Sequence, residues 1–245
     1  MSELCSMTEY ALYLESGPKR RKTMVHVLGL LGCVANGPTT EAALDATPDA
    51  ICAYLRFLKR HGEAVDPDAP FATAIAEHVT EGEWLGNGSP SVTFGPDLEP
   101  VSGDELETYL RRFHWINEAL AAWAETQSAA QLDAAPAEKG RTARAILLHV
   151  AGPVGGYISA ALGGASGFSA VHGAAERGEI GPAEVLRRID ALAAERLRAT
   201  TPSQRAAVVQ RPKELRTLRK ALRRMLEHAW EHLAELARRP GGPAV

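Results

Sequence analysis

From Ser102 onward, apolar residues return every three or four positions, the spacing of helices that each bury one stripe. Leu106, Leu110, Phe113, Ile116, Leu120 and Trp123 line one face of a first segment over about 103–127. Ser102-x-x-Glu105 opens it as a capping box. A second segment, about 142–162, places Ile146, His149, Pro153, Tyr157 and Ala160 on one face. The third starts at Gly181-Pro182, where proline suits a first helical turn, and runs to about Arg198. The fourth, about 213–238, carries Leu215, Leu218, Leu222, Met225, Ala229, His232 and Leu236 at alternating steps of three and four. That is the seam of a bundle helix. The stretch between the second and third segments, 163–181, is too glycine-rich for a continuous helix and long enough to cross the bundle.

The first hundred residues have another texture: short β-type runs, turns and one helix. YALYLES (10–16) and KTMVHVLGLLGCV (22–34) predict a hairpin with Gly17-Pro18 near its tip. Ala43, Leu44, Ala50, Ile51, Tyr54, Leu55 and Leu58 recur at helical spacing, and Gly62 ends that run. Pro48 lies inside it, which predicts a kink or irregular first turns. FATAIAEHVTEG (71–82) and PSVTF (90–94) predict two more strands. GPDLEPVSGDE, with two prolines and two glycines in eleven residues, reads as a linker. The expected organisation is therefore an α+β module over 1–100 followed by an all-α four-helix bundle over 101–245.

Composition narrows the function classes only slightly. The 245 residues are 45% apolar and 23% charged, an ordinary globular balance. A net charge of −3 gives no general reason to expect nucleic acid or anionic lipid as a partner. No run comes near the roughly 20 apolar residues that span a bilayer, and the amino terminus lacks a secretory pattern. Cys5, Cys33 and Cys52 are an odd set without paired spacing, so a disulfide framework is disfavoured and a cytoplasmic setting is the default. Lys19-Arg20-Arg21-Lys22 marks a basic hairpin tip that could touch RNA or a protein partner. Arg216, Arg219, Lys220, Arg223 and Arg224 alternate around the last seam and read as the wet face of a helix.

The candidate chemistry lies in three histidines. His232 takes a seam position in the fourth segment, and His228 lies one turn earlier beside the same seam. Residues four apart stack on one helix face, so both imidazoles can reach one ion. His149 is in the seam of the second segment. Neutral imidazole suits zinc, nickel, copper and iron, and three protein ligands leave coordination positions open. Such an ion can bring a water's pKa towards neutrality, or hold a thiolate. The plainer reading is a set of hydrogen-bonded core histidines in a metal-free bundle. His114 flanks the first seam, His172 lies in the crossing stretch, and Glu227 and Glu231 read as solvated neighbours of the pair, with support of the histidines or acid–base work as the alternative. Pro153, Gly155 and Gly156 follow His149 by a turn and fit either a kink that opens a cavity or close packing on small residues.

Two resemblances follow from these residues. The hairpin, Gly32-Cys33 and Gly37-Pro38-Thr39-Thr40-Glu41-Ala42 opening a helix resemble the core of HicB-like antitoxins over about residues 8–62. Leu31 departs from that pattern by standing where proline is common, and caps and turns alone account for the motif. In the second half, Ala145-Ile146-Leu147-Leu148-His149-Val150-Ala151 and the run Arg224–Leu233 resemble the DinB family of four-helix bundles, which includes thiol-dependent S-transferases. That resemblance implies an up-down-down-up bundle, a metal triad at His149, His228 and His232, and a homodimer. It also implies a divalent transition metal, zinc or nickel foremost, and in the transferase version a low-molecular-weight thiol as cosubstrate. The expected function is thus a metal-dependent hydrolase or S-transferase. The rival is a non-enzymatic regulatory protein whose first module recognises a protein or RNA partner while the bundle dimerises it.

Overall fold

The computed structural model of the chain describes residues 7–136 and 140–245. Cys5 lies outside them, and so does the Arg20 side chain of the basic tip. The chain divides into two compact units at Pro96/Asp97.

In the first unit β1 (Thr8–Ser16), β2 (Arg21–His26), β3 (Val34–Thr39), α1 (Thr40–Arg60) and β4 (Phe71–Val79) follow in order. The sheet runs β3-β2-β1-β4, with β1 antiparallel to β2 and parallel to β4. A parallel partner needs a crossover, which α1 supplies. The single long strand expected over 22–34 is in fact two strands and a tight turn. Val27 and Cys33 pair through the backbone across residues 28–32, and Gly32 takes φ 100 to close the turn. Gly37 sits within β3 because α1 passes so close to it. A Cβ there would stand 2.5 Å from the Ala43 nitrogen. Thr39 caps α1 by accepting from the Ala42 amide, and the helix runs unbroken through Pro48. Residues 90–94 are not a strand. Val92 and Phe94 are buried as a loop plug against Leu85, with Tyr13, Leu28 and Val79 packed around them. Apolar content drives that burial without any ladder to pair with.

The second unit contains α2 (Gly103–Glu125), α3 (Ala129–Asp133), α4 (Ala143–Ala151), α5 (Val154–Leu162), α6 (Phe168–Glu176), α7 (Pro182–Arg198), α8 (Pro202–Ala206), β5 (Val208–Arg211), β6 (Glu214–Thr217) and α9 (Leu218–Ala237). Four long elements form the bundle: α2, the broken helix α4–α5, α7 and α9. Pairs of side chains fix their directions. Glu107 meets Arg198 while Glu118 and Glu125 meet Arg187, so α2 and α7 are antiparallel. Glu105 meets Arg219 near one end, and Trp123 Nε1 donates to the Gly241 carbonyl near the other, so α2 and α9 are parallel. Arg239 meets Arg141 while His228 meets His149, so α4 opposes α9. The order is therefore up-down-down-up, and α6 lies in the long crossing between the second and third bundle helices.

Two sequence expectations change here. The fourth bundle helix starts at Leu218 rather than near 213, because residues 208–217 form a two-stranded hairpin with Pro212 in its turn. Thr217 then caps α9 by accepting from the Lys220 amide. Ala143–Leu162 is also long and apolar enough, by length and composition, to cross a membrane. The expectation that no run comes near that length is corrected accordingly. In this unit the stretch is a bundle helix, packed on α7 and α9 and interrupted at Gly152-Pro153.

Candidate metal centre

His149 stands on α4, and His228 and His232 stand one turn apart on α9. Because α4 opposes α9 in direct contact, the three imidazoles converge. Their ring centroids are 4.8–4.9 Å apart in all three pairings, each edge to face. Candidate ligand nitrogens of all three lie within 4.8 Å of one another, and Nε2 of His149 is 3.2 Å from Nε2 of His228. Metal–nitrogen bonds of 2.0–2.1 Å at tetrahedral angles place two ligand nitrogens about 3.3 Å apart. The His149–His228 pair therefore already has the separation of two ligands on one ion, and the donor set fits a divalent transition metal.

The surroundings prepare these nitrogens. Burial drives the His228 imidazole far below its ordinary pKa, reinforced by the positive charge that His232, Arg224, His149 and Arg141 can place nearby. Burial likewise lowers His149 to about 4, with His232 and Arg141 adding to the effect. Both rings are thus neutral at pH 7, the form that offers a lone pair. His232 Nδ1 is 2.8 Å from Glu235 Oε2. When that nitrogen carries the proton and donates it to the carboxylate, Nε2 is left as the acceptor. The hydrogen bonds from His232 and Arg239 outweigh burial and hold the Glu235 carboxyl below its ordinary value. The Tyr157 ring of α5 stands edge-on to His228, with centroids 6.3 Å apart.

Pro153 breaks the helix where its missing N–H would have bonded the His149 carbonyl. Gly155 serves packing: a Cβ there would lie 2.6 Å from the Phe168 Cβ on α6. A Cβ on Gly156 would meet nothing within 4 Å. The other candidates lie elsewhere. His114 Nδ1 meets Asp190 across the α2–α7 seam at 2.7 Å, beside a groove of about 420 Å³ lined also by Glu107, Arg111 and Arg198. His172 sits on α6, its Nε2 3.2 Å from the Leu148 carbonyl.

Of the five basic residues expected on a wet face, Lys220, Arg223 and Arg224 are instead buried, while Arg216, which lies on β6, and Arg219 stay partly exposed. Lys220, Arg223, Arg224 and Glu227 are 1–6% exposed. Arg223 donates through Nε and Nη2 to both oxygens of Asp97 at 2.8 and 2.9 Å. Its Nη1 and that of Arg224 converge on Glu227 Oε2 at 3.2 and 2.8 Å. Lys220 Nζ donates to the Leu215 carbonyl at 2.7 Å, and burial pushes its ammonium down to about 8. Glu227, expected to be solvated, is therefore fixed within the bundle one residue before a histidine of the triad. The sequence reading missed Asp97, which lies in the linker, and Glu235, whose spacing of three from His232 was the one available signal.

The amino-terminal unit holds a separate polar knot. Ser16 Oγ is 2.7 Å from both Thr23 Oγ1 and His78 Nε2, with Thr40 beside them. Ser16 is fully buried, so this pair closes the sheet end.

No family model matches the chain, and no curated protein matches it. The HicB-like reading of the first unit finds no support there. Among solved structures the chain is similar to YfiT from Bacillus subtilis, described as a probable metal-dependent hydrolase with an unusual four-helix bundle topology. The identity is 20% and the TM-score 0.44, over 60% of this chain and 93% of that one.

Proposed function

We propose that His149, His228 and His232 hold one divalent transition-metal ion, and that the bundle is a metal-dependent hydrolase. The observation that carries this reading is the convergence of three imidazoles from two opposed helices, with two of their nitrogens at ligand spacing. Imidazole donors suit zinc or nickel. An ion on three protein ligands supplies Lewis acidity at the coordination positions left open.

The chain's own residues do the rest. Burial keeps His149 and His228 unprotonated at neutral pH. Glu235 accepts the Nδ1 proton of His232 and so selects its tautomer. Glu227 is held by Arg223 and Arg224, which leaves its carboxylate out of competition for the ion. His149 is less buried than the other two, so substrate reaches the centre from its side.

The test uses full-length protein stripped with a chelator, then reloaded with one equivalent of zinc or nickel. It is offered activated carboxylic esters, anilides and phosphate esters. Turnover should appear with the ion, vanish on stripping, and be absent from His149→Ala. A loaded protein that turns over none of these contradicts the hydrolase assignment, while metal binding itself is judged by stoichiometry.

A further inference from the structure

We propose that Glu235 and Arg239 are positioning residues for the histidine triad, tying together the two helices that carry it. This inference rests on the metal-centre reading above. A ligating imidazole holds its orientation only when its other nitrogen has a fixed acceptor; without one, the tautomers exchange and the ring turns. His232 has such an acceptor in Glu235 Oε2, at 2.8 Å.

The carboxylate is itself held. Its Oε1 accepts from Arg239 Nη2 at 2.9 Å, so rotation of the Glu235 carboxylate would break two contacts at once. The other amino group of the same guanidinium, Nη1, donates to the backbone carbonyl of Arg141 at 3.0 Å. Arg141 immediately precedes Thr142, the residue that caps α4, and α4 carries His149. One path therefore runs from His232 through Glu235 and Arg239 to the start of the opposite ligand-bearing helix. Only a planar fork can reach a carboxylate and a carbonyl in this way; a lysine ammonium offers a point charge without that geometry. A partly exposed ion pair between residues four apart at a helix end contributes little to stability. The bond to the Arg141 carbonyl, 98 positions away, is what a merely local pair would lack.

The experiment measures zinc affinity by competition with a chromophoric chelator, together with the visible absorption of the cobalt-loaded protein and the melting temperature of the metal-free protein. Glu235→Ala should weaken zinc binding about 10–100-fold and change the cobalt spectrum. Arg239→Ala should weaken it about tenfold, the low end of that range. Glu235→Gln keeps an acceptor for the Nδ1 proton and should recover part of the affinity. Arg239→Lys should recover none. The metal-free melting temperatures should stay near the parent value, which a purely structural role would not produce alongside the affinity loss. Arg239→Ala, at a partly exposed position, carries the test if Glu235→Ala does not fold. Parent protein that binds zinc while Glu235→Ala and Arg239→Ala bind it equally well overturns the positioning role alone. Parent protein that binds neither zinc nor cobalt overturns the metal centre, and the positioning role with it.

Discussion

Glu227→Ala should cost the bundle about 3–5 kcal/mol, the range for removing one partner of a buried ion pair. The carboxylate is 1% exposed and its Oε2 accepts from both Arg223 and Arg224, whose side chains are each 5% exposed. Deleting it removes the carboxylate that both guanidinium groups share, while Asp97 stays paired with Arg223. The loss is large because neither arginine can shed its proton, so both charges stay buried once their shared carboxylate is gone. At this domain size each kcal/mol moves Tm by roughly 2–4 °C. Asp97→Ala should be nearly as costly, since it strips Arg223 of its two bonds to the Asp97 carboxylate. Glu227→Gln keeps an acceptor oxygen and should fall between the parent and Glu227→Ala. Chemical denaturation of the three variants checks this. Losses below about 1 kcal/mol, the range of exposed pairs, would show that water reaches the cluster.

The second large effect concerns acid. His149 and His228 have folded-state pKa values well below the 6.5 of an unfolded chain, chiefly through burial. Between those values the unfolded chain binds more protons than the folded one, so protonation favours unfolding. The stability these two rings contribute is complete above about pH 6.5. It declines as pH falls through the range down to about 4, the folded value for His149. His228, the more buried, steepens that fall by up to about 1.4 kcal/mol per pH unit. His149 adds less, because solvent screens its partly exposed ring. Melting curves of metal-free protein from pH 7.5 to 4.5 should therefore descend, and His228→Gln should flatten the descent. A profile that His228→Gln leaves unchanged would contradict the burial argument.

These effects come from features that differ greatly in how visible they are along the chain. Seam spacing places His149, His228 and His232 on helix faces, whereas their assignment as one triad comes from the family resemblance and their proximity is seen only in the fold. The up-down-down-up order rests on side-chain pairs such as Glu107–Arg198 and Glu105–Arg219, far apart in sequence, so only a family resemblance suggested it. The buried charges of α9 were misread for a physical reason. Five basic residues around an apolar seam look like a solvated face, and the acid that neutralises Arg223 comes from Asp97, 126 positions earlier.

The second strand of the hairpin, Glu214–Thr217, falls inside the helix expected over about 213–238 because Leu215 is in step with the seam by coincidence. Thr217, a good capping residue, marked the true start. Residues 90–94 failed in the opposite direction: an apolar β-type run is buried without a neighbouring strand to pair with. Glu235 and Arg239 form an ordinary surface spacing of four, and only the Arg141 carbonyl just before α4 gives the pair its role.

Everything proposed for the bundle depends on one ion at three histidines, and metal stoichiometry tests that most directly. Protein purified without an affinity tag, incubated with zinc or nickel and exhaustively dialysed, is analysed by elemental mass spectrometry beside His149→Ala and His228→Ala. One transition-metal ion per chain in the parent, lost in both variants, is the predicted result. A parent chain that retains no ion, or variants that retain it in full, would contradict the account.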